Sequence, residues 1–464
     1  MKEKEFIMKQ VLYNYDIFPK VFPIDRDVTI TVKPKGKHAE FRGECSIRVN
    51  HLGMGNPGHA FYAENATSYG NITPNENGEL KFTYKAEHEG EYLVRIYNSN
   101  GDCEEELPVY ALEHDLACRY PLKGDLHVHT CCSDGNEAPD IVCANYRKIG
   151  YDFIVITDHH YYQPSLDAIR AYQDADISLN ILPGEEVHLP YNEVHIVNAG
   201  GLYSVNSLIT DDKYNDARKH PDMRRLSSDV VIPDGCTKEE YKKELDAMVK
   251  ELTGGDNPLP EGVEPLWYAS CLWAFNKIRE ADGLAIFAHP YWRPTLFQIP
   301  EAFTAHIMKE HPFDAFEVLG GELYFHQNGI QTALYYDEYR QGRIHPIVGS
   351  TDSHGSTENN RGVTPCHTIV FAEKNERSSI INAIKDRYSV AVDTISTEYR
   401  LVGEFRLQKY AAFLMEEYFP LHNRETAIDG ALMFSYINGE TTKEELEVVC
   451  RRTERVLKKY FELL

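Results

Sequence analysis

Residues 124–134 read Gly-Asp-Leu-His-Val-His-Thr-Cys-Cys-Ser-Asp. His127 and His129 stand two apart after a short apolar approach, and Asp134 follows a few residues on. Along a strand, residues i and i+2 point to one face, so two imidazoles at a strand end can grip one metal ion. With 20 histidines among 464 residues, about one His-x-His arises by chance. The pair takes its meaning from what else the chain brings to the same place.

Five further signals follow apolar runs that read as strands. Asp158-His159-His160 follows Asp152-Phe-Ile-Val-Ile-Thr157, and Pro183-Gly184-Glu185-Glu186 follows Leu179-Asn-Ile-Leu182. His195 sits in Glu193-Val-His-Ile-Val197. His289 follows Leu284-Ala-Ile-Phe-Ala288 and precedes Pro290. Asp352-Ser353-His354 follows the run around 347–349. Singly, each has a plain explanation: a buried His hydrogen-bonded in the core, or an Asp capping a helix. Together they place a His, Asp or Glu after nearly every strand. In βα barrels the C-terminal strand ends converge on one face, so a multi-metal site is expected. Mixed imidazole and carboxylate donors suit Zn²⁺, Mn²⁺ or Fe²⁺ better than Ca²⁺. Six histidines and three carboxylates exceed the needs of one ion. A carboxylate can bridge two ions, and a metal-bound water is acidified towards pKa ~7, which makes hydroxide available at neutral pH.

The elements that must position these groups fall into three stretches. Residues 1–118 alternate with period two at Val28–Val32, Cys45–Val49, Leu80–Tyr84 and Tyr92–Tyr97, separated by Gly and Asn clusters, which predicts a β-sandwich with a loose immunoglobulin-like character. Residues 119–398 alternate buried-strand runs, including Ala315–Leu319, with helical segments such as Pro139–Ile149 and Tyr268–Asp282. This predicts an α/β barrel or open α/β sheet. A polar insertion at 204–264 interrupts that order and carries one predicted helix, Lys238–Leu252; a passive surface excursion is the plainer alternative. Residues 399–464 read as a C-terminal helical extension. Leu446, Val449, Cys450, Thr453, Leu457 and Tyr460 keep helical spacing, and Thr442 with Glu445 fits a capping box. Such a tail is an expected surface for packing or homo-oligomer contact.

Composition narrows the partners. A net charge of −24 disfavours duplex nucleic acid, whose binders carry a basic face. A metal cluster can still reverse the sign inside a pocket, so a small anionic substrate is allowed. No apolar run approaches ~18–20 residues, so no membrane span is expected. The first ten residues lack the apolar core of a signal peptide. The ten cysteines include no Cys-x-x-Cys and read as reduced thiols in a cytoplasmic protein.

The ordered set His127-x-His129, Asp134, Asp158-His159, Gly184-x-Glu186, His195, Ala288-His289-Pro290 and Asp352-x-His354 resembles the PHP (polymerase and histidinol phosphatase) superfamily. The approach Gly124-Asp125-Leu126-His127, the β-domain in front and the stretch Ile380–Ser389 look most like its CehA/McbA-type branch. The resemblance covers roughly residues 120–395. It implies a distorted seven-stranded (β/α) barrel with a trinuclear site holding two or three divalent ions (Zn, Mn or Fe). The implied ligands are His127, His129, Asp134, His159, Glu186, His195, His289, Asp352 and His354. Glu186 is preferred to Glu185 as the bridging carboxylate because the family spaces one residue between Gly and Glu. The insertion after Leu202 and His160 in place of a small or polar residue depart from the family pattern.

Beside the ligands, Asp158 is a candidate to orient a ligand or move a proton, with a helix N-cap as the plainer role. Arg361, in Asn359-Asn-Arg-Gly362, could hold two phosphate oxygens or be a surface residue; Arg293 is a weaker candidate. Tyr161, Tyr291 and Trp292 could wall a base or aryl ring, or simply pack. The leading expectation is a metal-dependent phosphoesterase acting on a phosphomonoester, nucleotide phosphate or short 5′-phosphorylated oligonucleotide. Hydrolysis of a carboxylic or carbamic ester is the second reading, and a non-catalytic metal-stabilised binding module the third.

Overall fold

A computed structural model describes residues 14–54, 67–189, 192–209, 240–254, 258–320, 325–356, 366–394 and 400–464. Arg361 and residues 210–239 lie outside the described residues. The chain divides into two compact units: residues 1–119, 405–425 and 451–464 form one, and residues 120–404 and 426–450 the other.

In the first unit the period-two segments become strands. Val28–Pro34 pairs antiparallel with Tyr15–Phe18 and Leu80–Tyr84. Cys45–His51 pairs with Thr67–Ile72 and Gly90–Tyr97, and the latter with Cys103–Leu112. The alternation buries every second residue: Val28, Ile30 and Val32 from one sheet meet Ile47, Val49, Val94 and Ile96 from the other in one apolar core. The helix Phe405–Glu417 belongs to this unit and brings the buried ring of Tyr410 to 4.9 Å from that of Tyr110.

The second unit is a mixed α/β structure. Its six-stranded sheet runs, in spatial order, Asn180–Leu182, Phe153–Ile156, Tyr120–Val128, Cys366–Ala372, Ser389–Asp393 and Arg400–Val402. Its five-stranded sheet runs Gly184–His188, His195–Ala199, Leu284–Phe287, Ala315–Leu319 and Ile347–Gly349. The first three strands of the six-stranded sheet are mutually parallel, as are the last three of the five-stranded one. Isolated parallel bridges, Val128 to Ser353 and His159 to Glu186, link the two sheets. These pairings give two bridged sheets among the described residues and do not of themselves close a seven-stranded ring.

Phe153–Ile156, Leu284–Phe287 and Ala315–Leu319 are buried along their whole length, as strands covered on both faces must be. Helices at Pro139–Lys148, Gln163–Ala171, Pro265–Glu280, Glu301–Glu310 and Arg377–Lys385 lie between the strands in sequence. Two glycines are required by close approach. A Cβ on Gly124 would stand 2.0 Å from the Phe153 ring, and one on Gly184 would stand 2.4 Å from Val155 Cγ1. Both positions lie just upstream of residues that carry chemistry, His127 and Glu186.

The described part of the insertion is not a loose excursion. Helix Glu240–Gly254 buries Tyr241 and Leu245, and Glu244 accepts a 2.6 Å hydrogen bond from Trp273 Nε1 of Pro265–Glu280. In the tail, Thr442 and Glu445 form the expected reciprocal cap of helix Lys443–Tyr460, at 3.0 and 3.3 Å. No disulfide joins Cys45, Cys103, Cys118, Cys131, Cys132, Cys143, Cys271 or Cys366.

Candidate metal centre

The geometry begins with the strand Tyr120–Val128. His127 and His129 extend from its end on one face, and the chain after Ile347–Gly349 continues alongside. Asp352 N–H donates to His127 O and His129 N–H to Ser353 O, both at 2.9 Å. That pairing sets Asp352 Oδ1 at 2.8 Å from His129 Nε2 and 3.3 Å from His127 Nε2. Neighbouring loops are pinned by buried carboxylates. Asp158 accepts from Thr130 N and Oγ1 at 2.8 and 2.7 Å and from Ser133 N and Oγ at 3.1 and 2.6 Å. Asp125 likewise accepts from Thr351 N and Oγ1, and burial pushes its carboxyl up to about 7. The Asp158 carboxylate is thus committed to the loop that carries Asp134.

Glu185 and Glu186 alternate across their strand. Glu185 turns away and accepts from Asn198, Ser204, Val205 N and Asn206. Glu186 turns inward. Its Oε2 lies 2.5 Å from His159 Nδ1, 3.5 Å from His127 Nε2 and 3.6 Å from His129 Nε2, while its Oε1 lies 2.6 Å from His195 Nδ1 and 4.0 Å from His289 Nε2. Asp134 reaches His159 Nε2 at 3.5 Å and His354 Nε2 at 3.2 Å. All nine residues of the sequence-expected ligand set therefore come together. Arg361 lies outside the described residues, and Arg293 is exposed.

Electrostatics follow from this crowding. Burial opposes it, yet the imidazoles of His195, His159 and His127 hold Glu186 well below the usual carboxylate range. Burial and the charge of His159 push His129 down to about 4. Against its burial, Asp134 raises His354 to about 9. Groups that compete this strongly for protons suit a divalent cation, whose binding displaces them.

The donor set fits such ions. Donors around one ion at ~2.0–2.2 Å stand roughly 3–3.5 Å apart, and the separations here run from 2.5 to 4.0 Å. His127 Nε2, both oxygens of Glu186, His195 Nδ1 and both nitrogens of His289 are buried without a hydrogen bond among the described residues, a costly condition unless something else satisfies them. His160, His289 and Asp352 have positive φ, at 64°, 20° and 51°, and such strain collects at functional sites.

Three site residues escaped sequence reasoning. Glu317 Oε2 lies 2.9 Å from His127 Nδ1. Gln298 Nε2 lies 2.8 Å from His195 Nε2. Neither stands in a recognisable motif. His188 lies 2.7 Å from His159 and carried a legible signal: it stands two residues after Glu186 on the same strand. Of the expected aromatic wall, Trp292 stacks 6.4 Å from His195, whereas Tyr291 packs on Phe297 of its own loop.

No protein-family model matches the chain, and no curated protein does. Among solved structures it is similar to a two-domain Bacteroides vulgatus protein containing a predicted PHP-like metal-dependent phosphoesterase. The identity is 18% and the TM-score 0.38, over 59% of this chain and 65% of that one. It is also similar to a predicted metal-dependent phosphoesterase from Bifidobacterium adolescentis (19%, 0.33, over 51% and 89%). A third is an amidohydrolase from Chromobacterium violaceum (17%, 0.30, over 51% and 89%). All three are under a fifth identical to this chain.

Proposed function

We propose that the second unit is a metal-dependent hydrolase of the PHP type, and that its substrate is a small phosphoester: a phosphomonoester, a nucleotide phosphate or a short 5′-phosphorylated oligonucleotide. The observation that carries this reading is the position of Glu186, whose two buried oxygens face different imidazoles, His159 and His127 on one side and His195 and His289 on the other. A carboxylate so placed is built to bridge. Two or three divalent ions would be held by His127, His129, Asp134, His159, Glu186, His195, His289, Asp352 and His354, with the seven-stranded barrel as the matching architecture. When bound, the ions supply Lewis-acid polarisation of the scissile ester and an acidified water.

The chain's own residues prepare that chemistry. Glu317 takes the Nδ1–H of His127, which leaves the Nε2 lone pair towards Glu186 and Asp352; partners of this kind fix the tautomer of a ligand histidine. Gln298 Nε2 lies against His195 Nε2, on the ring edge away from the Nδ1 that faces Glu186, and so holds the orientation of that ring. Asp158 and Asp125 hold the loops on which Asp134 and Asp352 ride.

A specific observation favours the second reading, a carboxylic or carbamic ester. Among the described residues, every ion pair made by Asp134, Glu186, Glu317 and Asp352 is with a histidine. Trp292 and the exposed Leu296 lie on the loop that Gln298 closes. Hydrolysis of p-nitrophenyl phosphate against p-nitrophenyl acetate, with Mn²⁺ or Zn²⁺, decides between the two. Phosphate turnover that disappears on chelation supports the phosphoesterase. Turnover of the acetate alone favours the ester, and turnover of neither, with metal bound, favours the binding module.

A further inference from the structure

His188 belongs to no ligand motif of the resemblance, yet it stands inside the cluster. It shares a strand face with Glu186, two residues away, and it is the cross-strand partner of His195 in the antiparallel hairpin. One hairpin face therefore presents Glu186, His188 and His195 together. His188 Nε2 lies 2.7 Å from His159 Nδ1 and 3.5 Å from Glu186 Oε2. His159, Glu186 and His188 form one of the groups close enough to hold a single ion.

His159 is contested by two such groups. Its Nε2 faces Asp134 in the group that also contains His129 and His354, and its Nδ1 faces Glu186 and His188. A neutral imidazole has one lone pair, because its second nitrogen carries the proton. His159 can therefore serve one group only. If Nε2 joins Asp134 and His354, the Glu186 Oε2 side loses an imidazole, and His188 is the histidine standing there to replace it. The fold holds it in place. His188 N–H donates to Asn206 Oδ1 at 3.1 Å, while Asn206 Nδ2 donates to Glu186 O at 2.8 Å. The His188 ring sits between those of His160 and His195, with centroids 4.2 and 4.6 Å away.

We propose that His188 is a tenth donor of the metal centre, binding through Nε2 the ion held by Glu186, while His159 is committed through Nε2 to the Asp134–His354 group. This rests on the metal-dependent reading above and adds a ligand to it.

The test is a crystal structure of the full chain loaded with Zn²⁺, with metal content of the wild type and of His188→Ala measured after dialysis against graded chelator. The expected result is His188 Nε2 at ~2.0–2.1 Å from an ion and His159 Nε2 on a different ion. His188→Ala should then lose one equivalent with an affinity drop above about 100-fold, beyond the 10–100-fold cost of removing a group that only hydrogen-bonds a ligand. Ions bound by Glu186 and His195 with both His188 nitrogens beyond 3 Å of every ion would overturn the proposal and leave the metal-dependent reading standing. Absence of any ion at Glu186 would overturn both. The wild-type structure decides the question even if His188→Ala does not fold.

Discussion

Glu317 Oε2 lies 2.9 Å from His127 Nδ1, and both side chains are fully buried. The two residues are 190 positions apart in sequence. Replacement of Glu317 by Gln removes the acceptor charge that aligns His127. Metal affinity should fall ~10–100-fold, the usual cost of losing such a partner, with the thermal transition of the metal-free protein little changed. Competition with a chromogenic chelator measures it, and unchanged affinity would remove Glu317 from the centre.

Glu186 and Glu185 are adjacent and face opposite sides of their strand. Glu186→Gln should lower kcat by orders of magnitude while the chain stays folded. Glu185→Gln places an amide donor among the donors of Asn198, Ser204, Val205 and Asn206. That should cost about 1–3 kcal/mol of stability and little activity. Denaturant melts and steady-state kinetics on both variants separate the two effects. Equal losses of kcat would mean that Glu186 does not bridge.

The donor groups differ in exposure. The side chains of Asp134, His354 and His159 are 49%, 27% and 21% exposed, against 0–3% for His127, His129, Glu186 and His289. One equivalent of metal should leave first under mild chelation, and Asp134→Ala should abolish that equivalent alone. Release should come earlier as pH falls, because protons compete for the same donors. Elemental analysis along a chelator titration at two pH values checks this; simultaneous loss of all equivalents would contradict it.

Arg361 bears on the choice of substrate. If it binds phosphate, Arg361→Ala should cost ~2–5 kcal/mol of transition-state stabilisation on a phosphoester and little on a neutral ester. Lys should restore only part, since it lacks the planar fork. An unchanged kcat/KM on the phosphoester would weaken the phosphoesterase reading.

Much of the centre was legible because donor residues follow apolar runs. Strand ends that converge turn a linear series of His, Asp and Glu into a cluster, and all nine expected ligands do meet. His188 was legible by the same i, i+2 rule that singled out His127 and His129, but Glu-Val-His inside a strand has no motif to draw the eye. Gln298 gave no local signal, and Glu317 showed only as the one charged residue inside the apolar run Ala315–Leu319; the fold sets each against a histidine.

Residue type and periodicity along the chain determine which positions can bind metal and which elements carry them, because strand alternation and helical spacing are local properties of the backbone. They do not determine which nitrogen faces which oxygen. That was decided by sheet register, which pairs His188 with His195, and by the bridges of His159 to Glu186 and Val128 to Ser353. Tertiary packing turned Glu185, just as buried, away from the cluster to Asn198 and Ser204 and turned Glu186 to His159 and His195, the choice that the Gly-x-Glu spacing had favoured. The physical reason is that a one-residue change of strand face exchanges a carboxylate hydrogen-bonded to Asn198 and Ser204 for one that faces the histidine cluster. Only the assembled sheets state which face is inside.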